Sequence, residues 1–170
     1  MVLEPVIASF VAWAGYVIAN YGYAGAFVVS LISSASIFLP VPGFLFVLAA
    51  GALLNPVALG VVAGAGSAIG ELTGYLIGKG GGGAMKKKDV KWVKKGEKWF
   101  REGRGFLFIL IFAATPLPDD VTGILGGMFN YDWKRLLLAS FIGKVAFNIV
   151  LALAGSFGLN SILGALGAGL

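Results

Sequence analysis

Long apolar runs make up most of this chain, and the pattern lies in what interrupts them. Residues 6–20 are apolar, carry Trp13 and Tyr16, and begin just after Pro5. A helix is expected there, since proline is tolerated in a first helical turn. Tyr21-Gly22-Tyr23 reads as a turn with two aromatics, as at a bilayer interface. Residues 24–39 are apolar and stop at Pro40-Val41-Pro42-Gly43; residues 44–54 follow and are closed by Asn55-Pro56. Each of these arms would be a helix of roughly 16 to 24 Å, short of a hydrocarbon core of about 30 Å. The pair is therefore expected to enter and return as a re-entrant hairpin. One long kinked helix is the competing reading, because membrane helices tolerate proline kinks.

Residues 57–78 are long enough to span. Gly66, Gly70, Gly74 and Gly78 recur at four-residue spacing, with Gly60 and Gly64 before them, which predicts close approach by neighbouring helices. Glu71 lies beside this stripe. Residues 79–84 read as a glycine linker, without the Gly-Lys-Ser/Thr of a phosphate-binding loop. Residues 89–102 predict an amphipathic helix, with Trp92, Val93, Gly96, Trp99 and Phe100 on one side, lying flat on the membrane. Residues 106–115 and 121–131 are the arms of a second hairpin, followed by an interfacial Tyr131-Asp132-Trp133-Lys134-Arg135 and a second span at 136–157. The end, 158–170, reads as a frayed or interfacial helix.

The stretch 113–127, AATPLPDDVTGILGG, aligns without gaps on 37–51, IFLPVPGFLFVLAAG. Pro40 then matches Pro116, Pro42 matches Pro118 and Gly51 matches Gly127. Two copies of one broken-helix hairpin are expected, with Pro40, Pro42, Gly43, Pro116 and Pro118 at the tips.

Composition fixes the class. The chain is 58% hydrophobic and 12% charged, with a mean hydropathy of +0.91, whereas soluble domains run near 25% charged. An all-α, multi-pass integral membrane protein is expected, a single domain over residues 1–170. Cysteine and histidine are both absent. That removes thiol nucleophiles, disulfides, histidine acid–base chemistry and most zinc or haem ligation; no metal and no cofactor is expected. The start, Met1-Val2-Leu3-Glu4-Pro5, lacks a basic n-region, so the first apolar segment is expected to persist.

Charge sets orientation. Of 13 Lys and Arg, all but Lys134, Arg135 and Lys144 lie between Lys79 and Arg104. Membrane topology explains such a cluster better than nucleic acid does, so the basic segment is placed in the cytoplasm. Hairpin one then opens outward and hairpin two inward, and repeats 24–78 and 106–158 are inverted about the linker and helix at 79–105, as in transporters. At about 1.5 Å per residue, Glu71 and Lys144 lie roughly 12 and 14 Å inside their spans. Asp119 and Asp120 sit at a hairpin tip of similar depth, and Asn148 falls one turn beyond Lys144. Buried charges of this kind are costly unless paired. Lys144 is expected to pair with an aspartate, with a second carboxyl protonated or facing water. Either aspartate also suits an N-cap, and a Lys144–aspartate pair can serve only to lock a hairpin to a span.

These motifs, in order, resemble a known pattern: a Pro-x-Pro hairpin, a glycine-rich span ending Glu71-Leu-Thr-Gly-Tyr75-Leu-Ile-Gly78-Lys79, and a basic amphipathic helix. Pro-Leu-Pro-Asp-Asp with a later Gly-Gly, Trp133-Lys-Arg-Leu and Ile142-Gly143-Lys144 follow. The chain is similar, over about residues 24–158, to the DedA superfamily of VTT-domain (SNARE-associated Golgi) proteins, and to its short YqaA-like branch. The resemblance implies opposed re-entrant hairpins and transport of lipid, such as polyprenyl-phosphate recycling or phospholipid scrambling, often tied to the proton-motive force. It implies that Glu71 is the acidic site of the glycine-rich span, Asp119 and Asp120 the polar tip, and Lys144 the basic site. Two positions depart from the pattern: Gly43-Phe44 where many members have a carboxylate, and Ala113-Ala114 where an arginine flanks the proline.

The expected function is a transporter or scramblase of lipid or polyprenyl-phosphate headgroups, not an enzyme, in a prokaryotic plasma membrane. A proton-coupled ion or small-solute transporter uses the same acids and is the alternative. An intramembrane aspartyl enzyme ranks below both, since Asp119 and Asp120 are chain neighbours pointing differently. Membrane lipids are the expected partners, with anionic headgroups at the basic helix and homo-oligomerisation left open.

Overall fold

The computed structural model describes residues 3–36, 43–87, 91–115 and 120–165, and every regular element among them is helical. The first, α1 (Leu3–Ala35), is one helix where a helix, a turn and a separate hairpin arm were expected. Its Gly22 takes φ 50° and ψ −127°, a conformation open to glycine, and the helix kinks there without ending. The Tyr21-Gly22-Tyr23 turn is thus a kink, and the half of α1 beyond it is the first hairpin arm.

The second arm, α2 (Gly43–Gly51), runs back along that half. The Gly43 amide donates to Ser33 Oγ at 3.2 Å, and the Asn55 amide to Tyr23 Oη at 3.2 Å. Residue 33 therefore lies opposite 43 and residue 23 opposite 55, which makes the arms antiparallel. Pro40 and Pro42 lie outside the described residues.

Helix α3 (Pro56–Gly70) starts cleanly. Asn55 Oδ1 accepts from the amides of Val57 and Ala58, both at 3.1 Å, and Pro56 sits where a missing N–H costs nothing. Helix α4 (Leu72–Lys87) continues almost the same line. Only Glu71 separates the two, and it keeps helical angles of φ −63° and ψ −21°. The glycine run expected as a linker is helical as well. Extending a helix already anchored by packing avoids the nucleation cost, which offsets the poor propensity of glycine.

Helix α5 (Lys91–Trp99) passes through a π-helical turn, Phe100–Arg104, into α6 (Gly105–Ala113). Gly103 bends the chain there with φ 87°. Helix α7 (Asp120–Met128) is the second arm of hairpin two, and α8 (Trp133–Ala165) is a single 33-residue helix. The tail expected to fray after 158 thus continues the span as far as Ala165. Pro116 and Pro118 lie outside the described residues.

Helices α3 and α8 pack together at the centre. Each first arm lies on its own repeat's span, α1 on α3 and α6 on α8; each second arm crosses to the other span, α2 on α8 and α7 on α4. The glycines make this possible, but they serve several partners. A Cβ at Gly64 would lie 2.7 Å from Val145 Cα on α8, and one at Gly70 would lie 2.9 Å from Ala35 N on α1. Gly78 meets Ile124 of α7. A four-residue step drifts about 40° around a helix, so an extended stripe turns from one neighbour to the next.

Among the described residues three helices are long and apolar enough to cross a membrane: Ala12–Ala35, Pro56–Gly81 and Trp133–Gly158. Two were expected as spans; the third is the kinked α1. Large apolar side chains such as Leu76, Leu107, Ile111 and Val150 face outward at 56% exposure or more. That surface suits hydrocarbon rather than water. The protein is a multi-pass, all-helical membrane protein.

Candidate functional site

The apolar interior holds one charged cluster among the described residues. Glu71 is 2% exposed and Lys144 is 5% exposed, and Lys144 Nζ lies 3.8 Å from Glu71 Oε2. That separation is an ion pair but exceeds hydrogen-bond length. Lys144 Nζ donates to Ser34 Oγ at 3.3 Å. The Thr122 hydroxyl, wholly buried, donates to Glu71 Oε1 in a short hydrogen bond.

Four segments deliver these groups. Ser34 sits at the inner end of the first hairpin arm and Thr122 in the first turn of α7, so each hairpin brings a hydroxyl from near its tip. Glu71 comes from the junction of α3 and α4, and Lys144 from the middle of α8. Gly123 lets α7 approach: a Cβ there would lie 2.9 Å from Glu71 O and 3.1 Å from Glu71 Cγ. Around the pair, Ser30 and Ser140 lie one turn from Ser34 and from Lys144. Their hydroxyls are buried with no hydrogen-bond partner among the described residues.

Among the described residues the carboxylate facing Lys144 is that of Glu71; the expected pairing with Asp119 or Asp120 falls outside them. Asp119 lies outside the described residues, as does the side chain of Asp120, which opens α7. Asn148 is buried one turn beyond Lys144, but its Nδ2 donates to the Lys144 carbonyl at 2.7 Å and so braces the helix. Gly43 holds the start of α2 against Ser33. Thr122 and Ser34 were not anticipated. A signal existed for both: Ser30, Ser33, Ser34 and Ser36 cluster in an otherwise apolar segment, and Thr122 lies two residues beyond Asp120.

A second polar feature lies at the end of the molecule where hairpin two opens. A cleft of about 450 Å³ is lined by Glu97, Asn130, Tyr131, Asp132 and Arg135. Asp132 Oδ1 accepts from the amides of Lys134 and Arg135, both at 2.9 Å, and caps α8. Tyr75 Oη donates to the Tyr131 carbonyl at 2.8 Å. Burial pushes the Tyr131 phenol above its ordinary range; the Arg135 guanidinium pulls it back and the Asp132 carboxylate pushes it up. Beside the cleft, Phe100 is 2% exposed, with ring centroids 5.0 Å from Phe129, 5.6 Å from Tyr131 and 5.9 Å from Phe108. Gly96 also abuts the Phe129 ring. The end of the amphipathic helix thus docks Gly96 and Phe100 on the second hairpin, while the side chains of Trp92 and Val93 lie outside the described residues.

Comparison with known proteins gives this architecture a family. Residues 41–157 match the model of the VTT domain. The chain is 28% identical over 131 residues to the Uncharacterized protein MJ0201 of Methanocaldococcus jannaschii, covering 75% of this chain and 80% of that one. No solved structure matches significantly. The matched segment covers more than half of the chain and takes in Glu71, Thr122 and Lys144, so the chain belongs to the VTT-domain (DedA) family of transporter-like membrane proteins.

Proposed function

We propose that this protein carries lipid or polyprenyl-phosphate headgroups across the bilayer through the Glu71–Lys144 site, with the two hairpins as opposed re-entrant elements. The observation that carries this reading is the buried ion pair completed by one hydroxyl from each hairpin. Such a site costs too much in an apolar interior to be expected of a purely structural protein. Its chemistry suits an anionic group, with an ammonium, hydroxyl donors and the positive end of α7.

Depth supports the hairpin reading. From the Gly22 kink to Ala35, α1 covers about 20 Å, short of a hydrocarbon core. Hairpin one opens at the Tyr23–Asn55 end of α3, while hairpin two opens at the far end of α4, beside Glu97 and Arg135. On this reading the repeats are inverted and the basic end, with Lys134 and Arg135, is cytoplasmic in a prokaryotic plasma membrane. The described buried carboxylate faces a cation. That arrangement serves binding better than the shared proton of a catalytic carboxylate pair, and transport without chemistry follows.

Proteoliposomes test the proposal. Headgroup translocation is followed for a fluorescent phospholipid and for a polyprenyl phosphate, with and without a pH gradient. Protein-dependent movement of either lipid, abolished by Lys144→Met, supports the reading. Movement of neither, alongside gradient-driven uptake of a small solute, transfers the site to a proton-coupled solute transporter.

A further inference from the structure

We propose that the outward face of α5 is a docking surface for anionic phospholipids of the adjoining leaflet, held by charge rather than by insertion. The surface lies apart from the Glu71–Lys144 site, and the inference holds whatever that site carries. Lys91, Lys95 and Lys98 are all exposed. At about 100° per residue they fall within roughly 60° of one another, on the side of α5 away from Gly96. The Gly96 side is taken. A Cβ there would press on the Phe129 ring, and the Phe100 ring lies 5.0 Å from the same ring, centroid to centroid. An amphipathic helix ordinarily enters the interface by its apolar face. Here Gly96 and Phe100 are committed to hairpin two, and the lysines are turned outward.

Lipid is the partner within reach. The π-helical turn Phe100–Arg104 joins α5 directly to α6, whose Leu107 and Ile111 are exposed. Such side chains suit hydrocarbon, so headgroups begin within about a helical turn or two of the end of α5. Trp99 and Trp133 are exposed at the same end of the molecule, as aromatic residues are at headgroup depth. The acids nearby do not cancel the stripe. Glu97 lines the cleft that Arg135 also lines, and Glu102 lies 3.9 Å from Arg104.

A lysine near an anionic leaflet strengthens attachment about fivefold, so three together give on the order of a hundredfold. The attraction decays over about 10 Å at 0.1 M salt and about 3 Å at 1 M, which makes salt a direct probe of it. The docking also has a mechanical consequence. Since Gly96 and Phe100 hold the Phe129 ring, lipid bound to the outer face of α5 steadies the open end of hairpin two.

The test uses the full-length protein in nanodiscs of phosphatidylcholine alone, or of phosphatidylcholine and phosphatidylglycerol mixed three to one. Backbone hydrogen exchange is read by mass spectrometry. Amides of residues 91–99 should exchange about tenfold more slowly in the anionic discs, and those of residues 125–131 should slow with them. Raising the salt to 1 M should erase the difference. Lys91→Gln/Lys95→Gln/Lys98→Gln changes only exposed side chains, and it should exchange equally in both discs. Lys134→Gln/Arg135→Gln removes cations from the same end but not from the stripe, and it should keep most of the slowing.

Equal exchange of the wild type in the two lipids overturns the docking surface and leaves the stripe to an acidic soluble partner. Slowing that survives the triple substitution, or 1 M salt, overturns it as well. An equal loss in Lys134→Gln/Arg135→Gln would reduce it to an effect of net charge. Slowing confined to residues 91–99 removes the brace on hairpin two. None of these results depends on headgroup translocation through the central site, so the two readings fail separately.

Discussion

Replacing Lys144 with methionine should harm the protein more than replacing Lys144 and Glu71 together. The two charges lie 3.8 Å apart, and at an effective dielectric near 20 their attraction is about 4 kcal/mol. Against this stands a desolvation cost of several kcal/mol per buried ion. The pair as a whole therefore comes out near zero. Lys144→Met cancels the attraction but leaves the desolvated carboxylate, held by the Thr122 hydroxyl. A loss of about 3 to 5 kcal/mol follows, largest at alkaline pH and shrinking as acid neutralises Glu71. In Lys144→Met/Glu71→Gln both members of the pair are neutral, and the amide oxygen of the new glutamine would still accept from Thr122. The double variant should return to within about 1 to 2 kcal/mol of wild type. Equilibrium unfolding in mixed micelles, read by tryptophan fluorescence across pH 5 to 9, gives all four corners of the cycle. A coupling energy below about 0.5 kcal/mol at pH 8 would show that the pair does not act as a unit. The restored double variant should still fail to transport.

The glycines of α4 should divide sharply. Gly80→Ala and Gly81→Ala face open space and should each stabilise by about 0.5 to 1 kcal/mol, while Gly78→Ala, which would press on Ile124, should cost about 1 to 3 kcal/mol; equal effects in thermal unfolding would contradict the α4–α7 crossing. Because burial raises the folded-state pKa of Tyr131, its contribution is intact below the unfolded value of about 10 and is lost as pH rises through the folded value. Tyr131→Phe should flatten that alkaline decline, seen as melting temperature against pH from 8 to 11. Cysteines at Val41 and Leu117 should label more slowly from either side of the membrane than cysteines at Tyr23 or Lys87. Rapid labelling of Leu117 from outside, with none from the cytoplasm, would mean that the arm before it crosses fully.

The breakers in the sequence carried most of the architecture, because their effect is local. Pro56 after Asn55 starts α3 through a cap that needs no tertiary partner. Gly22 bends α1 because only its own backbone must change. What stayed hidden depends on which helix lies on which. The contact between Lys144 and Glu71 is the clearest case. The aspartates beside Pro118 share a hairpin with the arm that α8 supports, and on spacing alone they are the natural candidates. The crossing of α7 onto α4, admitted by Gly78, Gly123 and Gly127, puts Thr122 on Glu71. Since α3 and α8 are packed through Gly60 and Gly64, Lys144 then meets Glu71. No periodicity within one helix encodes that.

The amphipathic helix shows a related ambiguity. A face made of Gly96, Trp99 and Phe100 is satisfied equally by lipid or by protein, and its period is the same in both cases. The missing cue is shape. Gly96 leaves a gap that the Phe129 ring fills, and Phe100 stacks among Phe108, Phe129 and Tyr131. Lipid tails need no gap, so a glycine in the middle of such a face points to a fitted protein partner. The consequence is mechanical. Hairpin two is held at its open end by this aromatic cluster and at its inner end by Thr122 on Glu71. A change in the charge of Glu71 therefore acts on the end of α7 that lies away from the aromatic cluster.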